Sequence, residues 1–133
     1  MNDEFYCWSS GDSIQFTKNF NSDEFECPGS DEHKILKELV DKLQQLRDKY
    51  GKSITITSGY RSPEYNAKIG GVTNSQHILG RAVDITGKDL NKLYDLCLEI
   101  FNAVGDGRKK GKFIHVDQRI MLPGRKAPIK FGY

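Results

Sequence analysis

The sequence predicts an α+β fold in which helices pack on one face of a small, mainly antiparallel sheet. Two long segments carry apolar residues at the spacing of an amphipathic helix, and three short segments alternate apolar and polar residues as half-buried strands do. Loops rich in glycine, proline and asparagine connect them. Two long helices, several short strands and long loops are together typical of the α+β class.

The first amphipathic helix is predicted to begin at Ser30 and to end near Gly51. Ser30 is a suitable N-cap, and Asp31 and Glu32 would stand in the first turn, where the helix dipole favours acidic groups. His33 would then be an exposed residue of that turn. The apolar stripe that would face the core consists of Ile35, Leu36, Leu39, Val40, Leu43 and Leu46.

Three strands and a second long helix follow. The strands are predicted over residues 53–57, 82–86 and 113–117. The loop after the first strand is expected to hold a short helix near residues 63–69. The second amphipathic helix begins at Leu90 and is expected to end near Gly105.

The three strands each have one apolar and one polar face, because side chains alternate between the two sides of a strand. The apolar faces, which would cover the helices, comprise Ile54, Ile56, Val83, Ile85, Ile114 and Val116. The opposite faces present Ala82, Asp84, Phe113, His115 and Asp117.

The polar faces place chemistry-bearing residues within reach of one another. His115 and Asp84 stand on these faces, and His77 lies in the loop that enters the Asp84 strand. If the two strands are neighbours, the three side chains converge, and two imidazoles with one carboxylate suit Zn²⁺ with a fourth position left open. Such a metal polarises a carbonyl and activates water for amide hydrolysis. The alternative is an exposed loop histidine beside an aspartate that forms a salt bridge.

The chain has the size and composition of one folded domain. It has 133 residues, of which 37% are apolar and 29% charged. We expect a single domain over residues 1–133, with an irregular segment at 1–29 and a basic tail at 120–133. The acidic start lacks the features of a secretory signal, and no apolar run approaches the ~20 residues that span a bilayer. We therefore expect cytoplasmic synthesis without a signal peptide, no membrane contact, and a monomer.

Cysteine usage and charge exclude some other classes. The three cysteines, Cys7, Cys27 and Cys97, are an odd number without a CxxC pair, which argues against a disulfide framework and a cysteine-zinc site. The net charge of +2 conceals an acidic first quarter and a basic region over residues 108–130. That region is read as solvated, with binding to anionic wall polymer or nucleic acid as the alternatives. No nucleic-acid motif accompanies it, so we do not expect nucleic acid as a partner.

The segment Ser75-Gln-His-Ile-Leu-Gly-Arg-Ala-Val-Asp84 fits the pattern Ser-x-His-x-x-Gly-x-Ala-x-Asp. It resembles the zinc-binding motif of D-Ala-D-Ala carboxypeptidases and phage peptidoglycan endopeptidases. Residues 57–66, with the sequence Thr-Ser-Gly-Tyr-Arg-Ser-Pro-Glu-Tyr-Asn, are similar to the family's substrate-arginine segment, and residues 113–117 to its third-ligand strand. The resemblance spans roughly residues 16–119 and implies the fold shared by hedgehog domains and D-Ala-D-Ala peptidases.

The resemblance implies a role for each matching residue. His77, Asp84 and His115 would bind one Zn²⁺ per chain. Arg61 would bind the substrate and act in catalysis, because its guanidinium suits a substrate carboxylate or the oxyanion of a tetrahedral intermediate. Ser75 would bind near the metal and the substrate.

The chain departs from the family at the expected general base. Many members have an acidic residue three positions before the last zinc histidine, where this chain has Lys112. Asp117, on the same strand face as His115, is the candidate to accept the proton of the attacking water. The competing role for Asp117 is to orient a ligand histidine through its other ring nitrogen, and a plain surface aspartate is the third reading. Asp106 is a more distant candidate for the base.

The predicted function is that of a hydrolase, a zinc metallopeptidase that cleaves an amide bond in peptidoglycan stem or cross-bridge peptides. It would act on the cell wall as a D-Ala-D-Ala carboxypeptidase or an endolysin-type endopeptidase, with a phage or prophage origin as one possibility. Two alternatives remain: a zinc-binding module without catalysis, like the hedgehog signalling domain, and a basic protein that binds anionic wall polymer or nucleic acid.

Overall fold

The computed structural model describes residues 3–133 and contains two sheets and four helices in that range. The elements in chain order are β1 (Phe5–Ser9), β2 (Glu32–Leu36), α1 (Lys37–Tyr50), β3 (Thr55–Ser58), α2 (Pro63–Lys68), β4 (Ala82–Thr86), α3 (Leu90–Ile100), β5 (Ala103–Gly107), α4 (Arg108–Gly111), β6 (Phe113–Asp117) and β7 (Ile129–Gly132). A 3₁₀ turn lies at Ser22–Phe25. Within the described residues, no helix is both long and apolar enough to cross a membrane.

The larger sheet has five strands in the order β3-β4-β6-β5-β7. Its first three pairings are antiparallel, whereas β7 pairs with β5 in parallel, so the sheet is mixed rather than wholly antiparallel. The smaller sheet pairs β1 with β2 in antiparallel fashion. The α+β fold class with a mainly antiparallel sheet is confirmed, and one parallel pair lies at the edge of the larger sheet.

The division of the strands into two faces is confirmed by which residues belong to the hydrophobic core. Val83, Ile85, Ile114 and Val116 are completely buried and belong to one core with the apolar stripes of α1 and α3. Because the hydrophobic effect fixes this side of β4 and β6 against the helices, the alternate residues of both strands must point to the other side. That other side carries the polar residues.

The predicted start of the first helix is wrong. Residues 32–36 form β2, and α1 begins at Lys37. The alternation of exposed Glu32, buried His33 and buried Ile35 satisfies a strand, and pairing with β1 outweighs the local N-cap signal of Ser30.

His33 is therefore a buried structural residue and not an exposed helical one. Its Nδ1 accepts a hydrogen bond from the Cys27 backbone N–H at 3.1 Å, which leaves the proton on Nε2 to donate to Ser10 Oγ at 2.7 Å. The Ser10 hydroxyl in turn donates to the Ser30 carbonyl at 2.8 Å. His33 thus cannot serve as a base toward Ser10, and it connects the smaller sheet to the loop before it.

Three further expectations need correction. The segment 1–29, expected to be irregular, contains the strand β1, while residues 1 and 2 lie outside the described part of the chain. The second helix ends at Ile100, and Gly105 belongs to β5 instead of terminating the helix. The tail 120–133 is exposed over most of its first part but ends in β7.

Candidate metal centre

Two neighbouring strands and one loop bring the predicted ligands together. Asp84 of β4 and His115 of β6 are direct register partners, so their side chains leave the same face side by side. His77 comes from the turn before β4, where Ser75 Oγ accepts a hydrogen bond from the His77 backbone N–H at 3.1 Å. One ligand atom from each of the three residues lies within 4.8 Å of the other two.

The ring orientation of His77 is set by a backbone carbonyl. His77 is 2% exposed, and its Nδ1 lies 2.8 Å from the Gly59 oxygen, which has no proton to give. Nδ1 must therefore carry the proton, and the lone pair of the neutral ring sits on Nε2. That nitrogen lies 3.3 Å from Asp84 Oδ1.

The ring of His115 is also oriented by a hydrogen bond, but through Nε2 and not through Nδ1. Its Nε2 lies 2.7 Å from Asp117 Oδ2, and its Nδ1 lies 3.1 Å from Asp84 Oδ1. When Nε2–H donates to Asp117, the Nδ1 lone pair of the neutral ring points to Asp84. Two imidazole lone pairs and a carboxylate oxygen then meet with no proton between them, an arrangement that a cation satisfies.

The electrostatics of the cluster also favour a cation. Burial alone would raise the pKa of Asp84, but hydrogen bonds and positive charge from His115 and His77 in their protonated forms hold it well below its usual range, so the carboxylate is ionised. Burial alone would lower the pKa of His115, yet its bonds to Asp117 and Asp84 raise it. The negative charge that attracts a proton to His115 would also attract a metal ion. Nitrogen and oxygen donors of this kind fit Zn²⁺.

Asp117 lies behind His115 and is completely buried. Arg119 binds it in a bidentate manner, with Nε 2.9 Å from Oδ1 and Nη2 2.8 Å from Oδ2, and the Arg119 backbone N–H adds a bond of 3.0 Å to Oδ1. Burial would raise the pKa of Asp117, but the bonds from Arg119 and His115 lower it. Both oxygens are therefore occupied by donors, which suits a residue that orients a histidine.

Arg61 lines the site, and three of its guanidinium N–H groups donate hydrogen bonds within the protein. It donates to Ser58 Oγ at 3.1 Å, to Asn66 Oδ1 at 3.3 Å and to Asp84 Oδ2 at 3.3 Å. Because a guanidinium has five N–H donors, two of them remain for a ligand. Arg61 can thus hold the outer oxygen of Asp84 and contact a substrate at the same time.

The site opens into a cleft of about 890 Å³. One wall is the loop 69–76, which includes the buried Ser75. The opposite wall comes from α4, the start of β6 and β7, and it includes Phe113, Phe131 and Tyr133. Ser75 and Arg61 therefore stand in the same cleft as the three candidate ligands.

Two glycines of β5 make room for the aromatic wall. A Cβ on Gly105 would lie 2.5 Å from the Phe131 ring, and one on Gly107 would lie 2.4 Å from the Phe113 ring. The Phe131 ring is consequently seated against His115, with ring centroids 5.3 Å apart. This wall was not predicted as part of the site, although the alternation of Ile129, Phe131 and the final tyrosine is a signal for a strand.

Asp106 and Lys112 do not supply a base to the cleft. Asp106 pairs with Ile114 in the register of β5 and β6, so it points to the helix side, where Arg108 binds both of its oxygens. Lys112 ends α4 in a left-handed conformation, with φ of 56°. Asp84 is the one acidic side chain among the described residues that line the cleft.

Comparison with known proteins agrees with this geometry. A family model described as Peptidase M15 matches residues 16–117, which is most of the chain. A zinc D-Ala-D-Ala carboxypeptidase of Streptomyces albus G is 44% identical over 45 residues. That match covers 33% of this chain and 18% of the relative, so the chain spans less than a fifth of the relative's length.

Proposed function

The chain belongs to the peptidase M15 family, and on that premise we propose that it is a zinc peptidase that hydrolyses an amide bond in peptidoglycan peptides. The observation that carries the proposal is the convergence of three acceptor atoms from His77, Asp84 and His115 within 4.8 Å. The name of the Streptomyces relative supports both the metal and the substrate class. Stem and cross-bridge peptides remain equal candidates, as do carboxypeptidase and endopeptidase action.

Zinc would be held by His77 Nε2, His115 Nδ1 and the Asp84 carboxylate. When bound, it supplies a Lewis acid that polarises a carbonyl and lowers the pKa of water. Gly59 and Asp117 maintain the two imidazoles in the tautomers whose lone pairs face the site.

Arg61 is proposed to have two tasks. One N–H steadies the outer oxygen of Asp84, and the remaining donors contact the substrate carbonyl, where negative charge develops during attack. Ser75 is proposed to shape the His77 turn through its bond to the backbone N–H, with its hydroxyl proton left for a substrate oxygen. We further propose that residues 1–133 act as one domain at the cell wall.

For Asp117 we propose the orienting role rather than that of proton acceptor. Its complete burial and its bonds to Arg119 and His115 support this choice, since a general base must reach the proton that it removes.

A zinc-binding module without catalysis is the second candidate. The observation in its favour is that the described cleft lining has no acidic side chain besides Asp84 to serve as a separate base. The two candidates agree on the metal and differ only in hydrolysis.

One experiment separates them. The purified protein is loaded with zinc, its zinc content is measured, and it is incubated with peptidoglycan and with small D-Ala-D-Ala peptides, beside His77→Ala as the control. The peptidase proposal expects about one zinc per chain and new amino groups released by the unaltered protein alone. Full zinc content without cleavage of either substrate would favour the binding module, and absence of zinc would refute both.

A further inference from the structure

Three cationic side chains line the cleft, but only one of them has no acidic partner. Arg61 is bonded to Asp84, and Arg119 is bonded to Asp117. Lys110 of α4 has neither an ion pair nor a hydrogen bond with any residue of the range 3–133. The cleft therefore presents one uncommitted positive charge, at its rim.

The Lys110 ammonium lies over the ring of Tyr133, which lines the same cleft. Its Nζ is 5.3 Å from the ring centroid of Tyr133, which also packs on Phe113 and Phe131 at centroid distances of 5.0 and 5.9 Å. The aromatic contacts hold the Tyr133 ring in place, whereas its phenol oxygen has no hydrogen-bond partner among the described residues. A rigid O–H donor and a flexible N–H donor thus face the same cleft.

We infer that Lys110 and Tyr133 form a subsite that binds a carboxylate of the peptide substrate at the rim of the cleft. An N⁺–H donor and an O–H donor that line one cleft are suited to the two oxygens of a carboxylate. Because Arg61 is paired with Asp84 and Arg119 with Asp117, Lys110 carries the one uncompensated charge of the described lining, and that charge favours an anion at the rim. The inference rests on the proposed function in one respect, which is that the cleft receives a peptide.

Two sources of the carboxylate are available in a peptidoglycan stem. One is the C-terminal carboxylate, and the other is the α-carboxylate of a γ-linked D-glutamate within the stem. Three probes distinguish them: the pentapeptide L-Ala-γ-D-Glu-L-Lys-D-Ala-D-Ala, its D-isoglutamine form, and its C-terminal amide. Each modified probe lacks one of the two carboxylates. The carboxylate whose amidation weakens binding is the one that occupies the subsite.

The variants are chosen to keep the fold intact. Lys110→Met retains most of the aliphatic chain, and Tyr133→Phe retains the ring and its aromatic contacts. Lys109→Met is the matched control, because it removes the same charge from the same short helix at a residue that does not line the cleft. Binding of each probe is measured by calorimetry on the metal-free protein, and KM and kcat are measured on the zinc-loaded protein.

We expect one of the two amidations to weaken binding and to raise KM by about three- to tenfold, with little effect on kcat. Both effects should be smaller at high salt, because salt screens the charge of Lys110. Lys110→Met and Tyr133→Phe should each reduce this discrimination, and Lys109→Met should preserve it. Equal affinity of the unaltered protein for all three probes, discrimination that survives in Lys110→Met, or an equal loss in Lys109→Met would overturn the inference.

The subsite and the proposed function fail in different ways. Hydrolysis without discrimination among the probes would leave the peptidase proposal standing and refute the subsite. Discrimination among the probes in binding, without hydrolysis of any of them, would support the subsite and refute the peptidase proposal. Neither binding nor hydrolysis of any probe would refute both.

Discussion

Replacing Asp117 with asparagine separates the two roles that this residue could have. The carboxylate accepts the Nε2–H of His115 at 2.7 Å and thereby keeps the Nδ1 lone pair directed at Asp84. An amide of the same shape holds the imidazole less firmly and can present its NH₂ group to Nε2, which favours the wrong tautomer. Loss of such a partner lowers metal affinity by about 10- to 100-fold, or about 1.4–2.7 kcal/mol.

The assay is competition for zinc between the protein and a chromophoric chelator. Asp106→Asn is the matched control. The Asp106 carboxylate accepts hydrogen bonds from the backbone N–H, Nε and Nη2 of Arg108, just as the Asp117 carboxylate accepts them from the same groups of Arg119. Asp106 lies on the other face of the sheet, so its loss should leave zinc affinity unchanged. A weaker affinity in Asp117→Asn alone is then attributable to His115 and not to the lost arginine pair.

Activity at saturating zinc completes the test. If Asp117 orients His115, filling the site with excess zinc should restore much of the hydrolysis that Asp117→Asn loses. Unchanged zinc affinity combined with loss of hydrolysis at full occupancy would refute the orienting role and identify Asp117 as the proton acceptor.

Three other predictions concern packing, burial and the metal. Gly105→Ala should lower the free energy of unfolding by about 1–3 kcal/mol, because its Cβ would meet the Phe131 ring at 2.5 Å, and Phe131→Leu in the same chain should relieve part of the loss in thermal unfolding. A maleimide should modify only Cys7 in the native protein, since Cys27 and Cys97 are buried and burial raises the pKa of the Cys97 thiol, and mass spectrometry counts the labels. Zinc should raise the unfolding temperature and chelation should reverse the rise, as scanning calorimetry measures, because the metal binds the folded site and neutralises its facing acceptors.

Each of these has a contradicting result. Equal stability of Gly105→Ala and the unaltered protein would mean that Phe131 is not seated against the strand. Two or more rapidly labelled thiols would contradict the burial of Cys27 or Cys97. An unfolding temperature that is unchanged by zinc would mean that the three candidate ligands do not form a site in the folded chain.

The strand parity of β4 and β6 could be predicted from the sequence, and it is the part that positions the site. Period-two alternation is a local property, so Val83 and Ile85 identify the buried face and thereby assign Asp84 to the other. The alternation in residues 113–117 does the same for His115. The pairing of the two strands was an assumption, and their register with Asp84 opposite His115 confirms it.

The elements that the sequence analysis missed depend on partners distant in the chain. β2 is a strand because β1 pairs with it, although Ser30 and two acidic residues favour a helix start locally. β5 contains Gly105 and Gly107, and glycine has low strand propensity. The aromatic rings that cover these two glycines belong to other strands, β6 and β7. Local sequence patterns do not predict pairing with strands that are distant in the chain.

The chemistry of individual side chains was likewise beyond the sequence. Which nitrogen of His77 carries a proton depends on the Gly59 carbonyl, 18 positions away. The choice between base and orienting group at Asp117 depends on its burial and on Arg119. Both facts come from tertiary packing.

The most direct test of a zinc peptidase at the His77, Asp84 and His115 centre is the release of amino groups from purified peptidoglycan, followed through chelation and zinc addition. We expect release by the zinc-loaded protein, its loss on chelation, its recovery with zinc, and no release by His115→Ala under any condition. Amino groups released equally by His115→Ala or in the presence of chelator would contradict a zinc-dependent peptidase at this site.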